Sequence, residues 1–251
     1  MRKMSKLLEL IQNLNKTTHD SIGFGSIEET RKNNHMILIS NVDIRRKYQD
    51  EILKYSDAIV VKNFPIDHSL ESLEKLNCII GIEINEKSIA DLDLLKREIV
   101  DFVIIGSDEI NADILLSETF SKGYSVLPPI SDDKGASIEE INFDFLIIKD
   151  ETISFPLKIS GLLKIEEMVL KNSGNIFMYT NSLPIYSDLE LLRKAQICGV
   201  IVDGNGISKK QIKDLKTDIS KLKPIKNELE SQNVQLLSNT NNNLDFENYD
   251  E

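Results

Sequence analysis

The sequence predicts an α/β protein, a single (β/α)8 barrel, and three observations carry that reading. Eight short runs of apolar and β-branched residues recur at roughly twenty-residue spacing between Met36 and Val202. Helical patterns or short polar connections separate them. The clearest unit, Gly174 to Ser208, reads strand, turn, helix, strand, Gly-turn and helix cap. Within it Gly199-Val200-Ile201-Val202 shows no polar alternation, as a parallel strand buried on both faces requires. A parallel pair joined by a helix takes a right-handed crossover, and eight such units close a ring. A doubly wound open sheet is the alternative architecture.

The chain divides into an N-terminal segment 1–35, a barrel 36–225 and a tail 226–251. In the first segment Met4 to Leu14 carries Leu7, Leu8, Leu10, Ile11 and Leu14 on one broad face, the pattern of an amphipathic helix. That helix could meet a partner or a second copy of the chain, so homo-oligomerisation is kept open. Ser21-Ile22-Gly23-Phe24-Gly25 reads as a short extra strand closing the barrel bottom.

The strands are expected at Met36–Ser40, Ala58–Val61, Ile79–Ile84, Phe102–Ile105, Tyr124–Leu127, Phe145–Ile148, Ile176–Tyr179 and Val200–Val202. Helices are expected at Asp43–Tyr55, about Ser69–Leu76, Ser88–Glu98 and about Asn111–Ser121. The last of these would end at Lys122-Gly123, a C-cap signal. A short helix follows within 131–141, another lies at about 162–172, and Ser187 is expected to cap the next, which ends at Gln196-Ile197-Cys198. Ser208 caps the closing helix, which runs to Leu222. The tail is Asn-rich and acidic, and its composition predicts disorder.

The formal net charge is −11, and the six acidic residues of 228–251 stand without a Lys or Arg. The barrel lacks the basic stripe that nucleic-acid binding needs. No apolar run approaches the length of a membrane span, and the N-terminus lacks a signal-peptide cleavage pattern. Cys78 and Cys198 stand far apart and form no disulfide framework, which fits a reducing, cytoplasmic setting. His19, His35 and His68 have no metal-ligand spacing, so no metal site is read from them and no organic cofactor is expected; Glu83, Asp150 and Asp203 could serve as acid–base groups or hold Mg²⁺.

In a barrel of this kind chemistry gathers at the C-terminal ends of the strands. Those ends offer Ser40 and Asn41, Lys62 and Asn63, Glu83 and Asn85, Ser107 and Asp108, Lys149 and Asp150, Thr180 and Asn181, then Asp203, Gly204 and Asn205. Four are candidate catalytic residues: Lys62, Glu83, Lys149 and Asp203. A strand-end lysine against an apolar core can act as a nucleophile, and a carboxylate there can act as general acid or base. Gly204, Gly206 and Ser208 open a helix, where backbone N–H groups can cradle an anion.

From Asp188 through Gly199-Val200-Ile201-Val202 to Gly204-Asn205-Gly206-Ile207-Ser208 the chain resembles the phosphate-binding TIM barrels, the group of thiamine-phosphate synthase, phosphoribosylanthranilate isomerase and the tryptophan-synthase α chain. The resemblance implies that Thr180, Asn181, Gly204, Asn205, Gly206 and Ser208 hold a phosphate. At strand seven Tyr179-Thr180-Asn181 stands in place of the family's glycines. Lys149 ends strand six, where class I aldolases of this barrel type hold their Schiff-base lysine. Two functions stay open: a cofactor-independent lyase, isomerase or synthase acting on a small phosphorylated or carbonyl substrate, and a non-catalytic barrel that binds a small molecule or serves as a scaffold.

Overall fold

The computed structural model describes residues 5–15, 35–43, 50–62, 78–86, 99–172 and 174–223. Eight parallel strands pair in sequence order, and the last pairs with the first, so the ring is closed. The strands are β1 (Ile37–Asp43), β2 (Ala58–Lys62), β3 (Ile79–Ile84), β4 (Phe102–Ile105), β5 (Ser121–Val126), β6 (Phe145–Ile148), β7 (Ile176–Thr180) and β8 (Ile197–Asp203). The helices are α1 (Lys6–Asn15), α2 (Asp50–Tyr55), α3 (Asp132–Ile141), α4 (Ile159–Leu170), α5 (Tyr186–Lys194) and α6 (Lys209–Lys221). None of them is long and apolar enough to cross a membrane.

The structure differs from the expectations at several elements, and β1 runs on through Asp43, which was expected to open a helix. The stretch before β5 makes only a 3-10 turn at Ala112–Leu116, and Lys122-Gly123 lies inside β5 instead of capping a helix. Gly123 is a glycine for packing: it faces the ring of Phe145, the residue it pairs with on β6. Ser187 lies inside α5. The N-cap is Ile185, whose backbone N–H donates to the Asp188 carboxylate at 3.0 Å. That helix stops at Lys194, and Gln196 takes a left-handed φ of 61° ahead of β8, which already contains Ile197 and Cys198. The short strand expected at 21–25, the helices at 69–76 and 88–98 and the tail 226–251 lie outside the described residues.

α1 covers the N-terminal end of the barrel. Leu7 and Ile11 are buried with Ile37, Ile39, Ala58, Val60, Phe102, Ile104, Phe145, Ile147, Phe177 and Ile201. The apolar face that could have met a partner thus packs into the chain's own barrel. Its first turn is held by Asp101, whose two carboxylate oxygens accept from Lys6 N at 2.8 Å and Leu7 N at 2.9 Å. These are N–H groups that a helix start leaves unpaired, and a carboxylate there also suits the helix dipole. Aspartates also precede β2 and β6. Asp57 accepts from Leu38 N at 2.8 Å, and Asp144 accepts from Lys122 N at 2.8 Å.

The strand register sorts the interior into layers of four, drawn alternately from odd and even strands as the barrel's shear requires. Above α1 comes Ala58, Phe102, Phe145 and Gly199, then Ile39, Gly81, Gly123 and Phe177, then Val60, Ile104, Ile147 and Ile201. Each phenylalanine pairs with a glycine on the neighbouring strand: Gly81 with Phe102, Gly123 with Phe145, Phe177 with Gly199. A Cβ on Gly81 would lie 2.2 Å from a Phe102 ring carbon, and one on Gly123 would lie 2.1 Å from the Phe145 ring. The rings use the space the glycines leave. They meet edge to face, with centroids 5.8 Å apart for Phe102–Phe145 and 5.6 Å for Phe145–Phe177. Such pairs contribute about 0.5–1.5 kcal/mol beyond their burial.

The loop that follows β6 is anchored at its second residue. Asp150 is buried and accepts from Thr152 N at 2.8 Å, Thr152 Oγ1 at 2.6 Å and Lys164 Nζ on α4 at 3.0 Å. Burial pushes its carboxyl pKa up, but the Thr152 and Lys164 donors outweigh burial and hold it below the ordinary value.

Two predictions follow from this packing. Gly123→Ala lowers stability in denaturant titration by about 1–3 kcal/mol, the usual cost of overpacking. Adding Phe145→Leu to it recovers part of that loss, and strict additivity of the two changes would contradict the pairing. Because the folded-state pKa of Asp150 is depressed, its contribution is present above the unfolded value of about 4 and lost as pH falls through the lower folded value. Asp150→Asn therefore flattens the acid limb of the stability–pH curve, and an unchanged limb would rule the anchor out.

Candidate functional site at the barrel mouth

Above the aliphatic layer the interior changes character. The next layer is Asn41, Glu83, Ser125 and Tyr179 from the odd strands. The last, at the mouth, is Lys62, Gly106, Lys149 and Asp203 from the even strands and their ends. The three layers below are apolar throughout, and these two contain no aliphatic side chain. Strand period two explains it: a polar residue set two positions beyond the last aliphatic inward residue faces the same interior.

All four candidate catalytic side chains meet here. Lys149 Nζ donates to Glu83 Oε1 at 2.8 Å across the barrel, and Lys62 Nζ lies 3.4 Å from Asp203 Oδ1 across β1. Glu83 is the most enclosed of the four, its side chain 13 % exposed against 40 % for Lys149. Its second oxygen, Oε2, accepts from Asn41 Nδ2 at 3.4 Å. Gly106 leaves the space beside Glu83 open; a Cβ there would lie 3.0 Å from Ile84 O and 3.6 Å from Glu83 Oε1. Lys149 Nζ also stands over the Tyr179 ring, 5.3 Å from its centroid, a cation–π distance.

The Tyr179 phenol titrates above its ordinary value. Burial is the main cause, the Asp203 and Glu83 carboxylates add to it, and the Asn41 amide opposes it. At neutral pH the phenol therefore keeps its proton and can donate. A cavity of about 10 Å³ sits in this ring, roughly the room one water needs. Its lining comprises the odd-strand polar layer, the aliphatic layer beneath it and Lys149.

The loops on the Lys149 and Tyr179 side are tied to each other. Phe155 N donates to Ser182 Oγ at 3.2 Å, and Leu157 N donates to the buried Asp188 carboxylate at 2.8 Å. Asp188 thus serves both loops, through Leu157 and through Ile185.

The six residues expected to hold a phosphate are arranged differently. Gly204 N donates to Asn41 O at 2.8 Å, Asn205 N to Asp203 Oδ1 at 3.2 Å and Gly206 N to Asp203 O at 3.3 Å. Ser208 N donates to Gln211 Oε1 at 3.0 Å within a capping box. Each of these N–H groups has an internal acceptor. A Cβ on Gly204 would press on Val42, Asn41 O and Ile52, so this glycine serves the close approach of β8 to β1. Thr180 is buried, with its hydroxyl 3.4 Å from Ile201 O, and Asn181 is exposed.

Sequence reasoning passed over Asn41, Ser125 and Tyr179 as site residues. Tyr179 drew notice only as a departure from glycine. The signal that finds them is inward phase: each stands two positions beyond Ile39, Gly123 or Phe177.

No family model and no curated protein sequence matches this chain. Solved structures do. Thiamine phosphate pyrophosphorylase from Pyrococcus furiosus superposes with a TM-score of 0.51 at 14 % identity, over 74 % of this chain and 96 % of its own. Tryptophan synthase from M. tuberculosis gives 0.59 at 10 % identity, over 87 % and 98 %. A mutant tryptophan synthase α-subunit from Pyrococcus furiosus gives 0.56 at 12 % identity, over 74 % and 97 %. The chain therefore has the closed (β/α)8 TIM-barrel fold of these proteins, related to them in architecture at a great distance in sequence.

Proposed function

We propose that the mouth of this barrel binds a small carbonyl compound and acts on it, without an organic cofactor, as a lyase, isomerase or synthase. The observation that carries the reading is the Lys149–Glu83 pair, 2.8 Å apart, facing each other from β6 and β3 above an apolar floor. A lysine must lose a proton before it attacks, and Glu83 is placed to take it. Lys149 Nζ then adds to the carbonyl carbon. The carbinolamine expels its oxygen as water, taking the proton back from the protonated Glu83, so that an iminium and the Glu83 carboxylate remain. The iminium accepts the electron pair of an adjacent C–H bond, whose proton passes to Glu83, or of an adjacent C–C bond, whose far carbon leaves as a carbonyl compound as Glu83 takes its hydroxyl proton. Glu83 then returns the proton to the enamine carbon, and water hydrolyses the iminium to free Lys149. Lys62 and Asp203 form a second ion pair at the rim, where the lysine suits an anionic group on the substrate and the carboxylate a hydroxyl.

The phosphorylated form of the reading places the phosphate at Thr180, Asn181 and Gly204–Ser208. Gly204, Asn205, Gly206 and Ser208 would then exchange their present acceptors for the anion. The carbonyl form needs no such exchange and is preferred. The Lys149–Glu83 ion pair, closed in the free protein, favours a second reading, a barrel that binds a small molecule through these polar groups and does no chemistry on it.

Borohydride reduction in the presence of a panel of small aldehydes and ketones, followed by peptide mass mapping, separates the two. The catalytic reading predicts an adduct on Lys149, absent from Lys149→Met and formed at least about a hundredfold more slowly in Glu83→Gln. No adduct on Lys149 or Lys62 would remove the Schiff-base reading, and saturable thermal shifts without an adduct would establish the binding barrel.

A further inference from the structure

Among the described residues with a buried polar side-chain atom that has no partner, Asn41 is the one that lines the mouth cavity. The residue is 2 % exposed, and its Oδ1 accepts no hydrogen bond from any described residue. Its Nδ2 faces Glu83 Oε2 at 3.4 Å and stands beside the Tyr179 phenol, which leaves Oδ1 on the other side of the amide. A buried acceptor left unpaired costs about 1–3 kcal/mol. The chain nevertheless keeps one in the layer where its interior turns polar.

We infer that Asn41 receives a hydroxyl of the substrate, so that the barrel selects carbonyl compounds bearing a hydroxyl on the carbon next to the carbonyl. The inference deepens the proposal above and rests on a carbonyl compound meeting Lys149. Three features set the class. The two oxygens of one carboxylate hold Lys149 Nζ and Asn41 Nδ2, so the amine and the amide are neighbours on one side chain. With the carbonyl carbon on Lys149 Nζ, a group on the next carbon is the one placed toward the amide. The cavity has room for one oxygen-sized group. The vacant atom on Asn41 is an acceptor, so the group must donate: a hydroxyl fits, while an ether oxygen or a methyl does not. The floor of Val60, Ile104, Ile147 and Ile201 is aliphatic, so such a hydroxyl finds its partner in the polar layer, where Asn41 Oδ1 is the buried acceptor that no described residue serves. A site built around a substrate hydroxyl rejects the analogue lacking it strongly, because its own polar group is left unpaired.

Hydroxyacetone and butanone have the same shape and differ by a hydroxyl against a methyl. Labelling of Lys149 by each under borohydride is measured by mass spectrometry and normalised to labelling of free N-acetyl-lysine. The wild-type protein is expected to prefer hydroxyacetone at least about tenfold, and Asn41→Leu to bring the ratio close to one. Should that variant fail to fold by circular dichroism, Asn41→Ala removes the same acceptor without adding bulk. Equal labelling in the wild type, or a preference that survives loss of Asn41, overturns the inference. Saturation-transfer NMR with both ketones on Lys149→Met tests the hydroxyl site without imine chemistry. An Asn41-dependent preference for hydroxyacetone there upholds the hydroxyl site even if no adduct ever forms. Equal binding of the two ketones refutes it, whatever the fate of the Schiff-base reading.

Discussion

Closing eight strands into a ring fixes the volume that side chains must fill, and here three glycine–phenylalanine pairs set how it is filled. Phe102, Phe145 and Phe177 each occupy the space in front of a glycine on the adjacent strand. The ring of eight strands and the aromatic cluster require each other. A larger residue at Gly81, Gly123 or Gly199 would push the rings away, and smaller residues in place of the rings would leave a void beneath the aliphatic layer. α1 seals the same cluster from below, with Asp101 holding its first turn. The polar layers stand on this packed base, and the positions of Lys149 and Glu83 are no firmer than the strands that carry them.

The change from apolar to polar layers opposes stability and therefore points to function. Filling the upper interior with aliphatic side chains would avoid desolvating Glu83 and burying an unpaired oxygen on Asn41. Instead the chain places two lysines, two carboxylates, a phenol, an amide and a hydroxyl at the strand ends. Arrangements of this sort, with ionisable groups converging over an apolar floor, are characteristic of sites that do chemistry or bind polar ligands. The loops on one side of the mouth are tied by Asp150, Ser182 and Asp188, so Lys149 stands on a strand end whose exit is held in place.

Much of this architecture was legible in the residues. The apolar runs of β3, β4 and β6 coincide with their strands, and Lys62, Glu83, Lys149 and Asp203 could be placed at the mouth because a barrel's strands all end on one face. β5 was misread: Lys122-Gly123 resembles a helix C-cap locally, and only the Phe145 ring on the next strand explains the glycine. The helix of Tyr186 to Lys194 hides its cap in the same way, since Ser187 is the commoner cap residue while the carboxylate of Asp188 does the capping from within. Gly204 and Gly206 look like an anion cradle in one dimension, yet Gly204 is set by its approach to β1. Residue type at the strand end names Asn41 without giving it a role and leaves Tyr179 out. Inward phase, counted in steps of two from the buried aliphatics, would have found both.

A crystal structure at near-atomic resolution tests the central claim most directly, that a closed barrel turns polar at one level of its interior and so builds a site. The account predicts Lys149 Nζ in hydrogen-bond contact with Glu83, the three phenylalanine rings below them edge to face, and an ordered water or ligand hydroxyl donating to Asn41 Oδ1. An open sheet, or a closed one with Lys149 and Glu83 turned outward to solvent on separate sides, would contradict it.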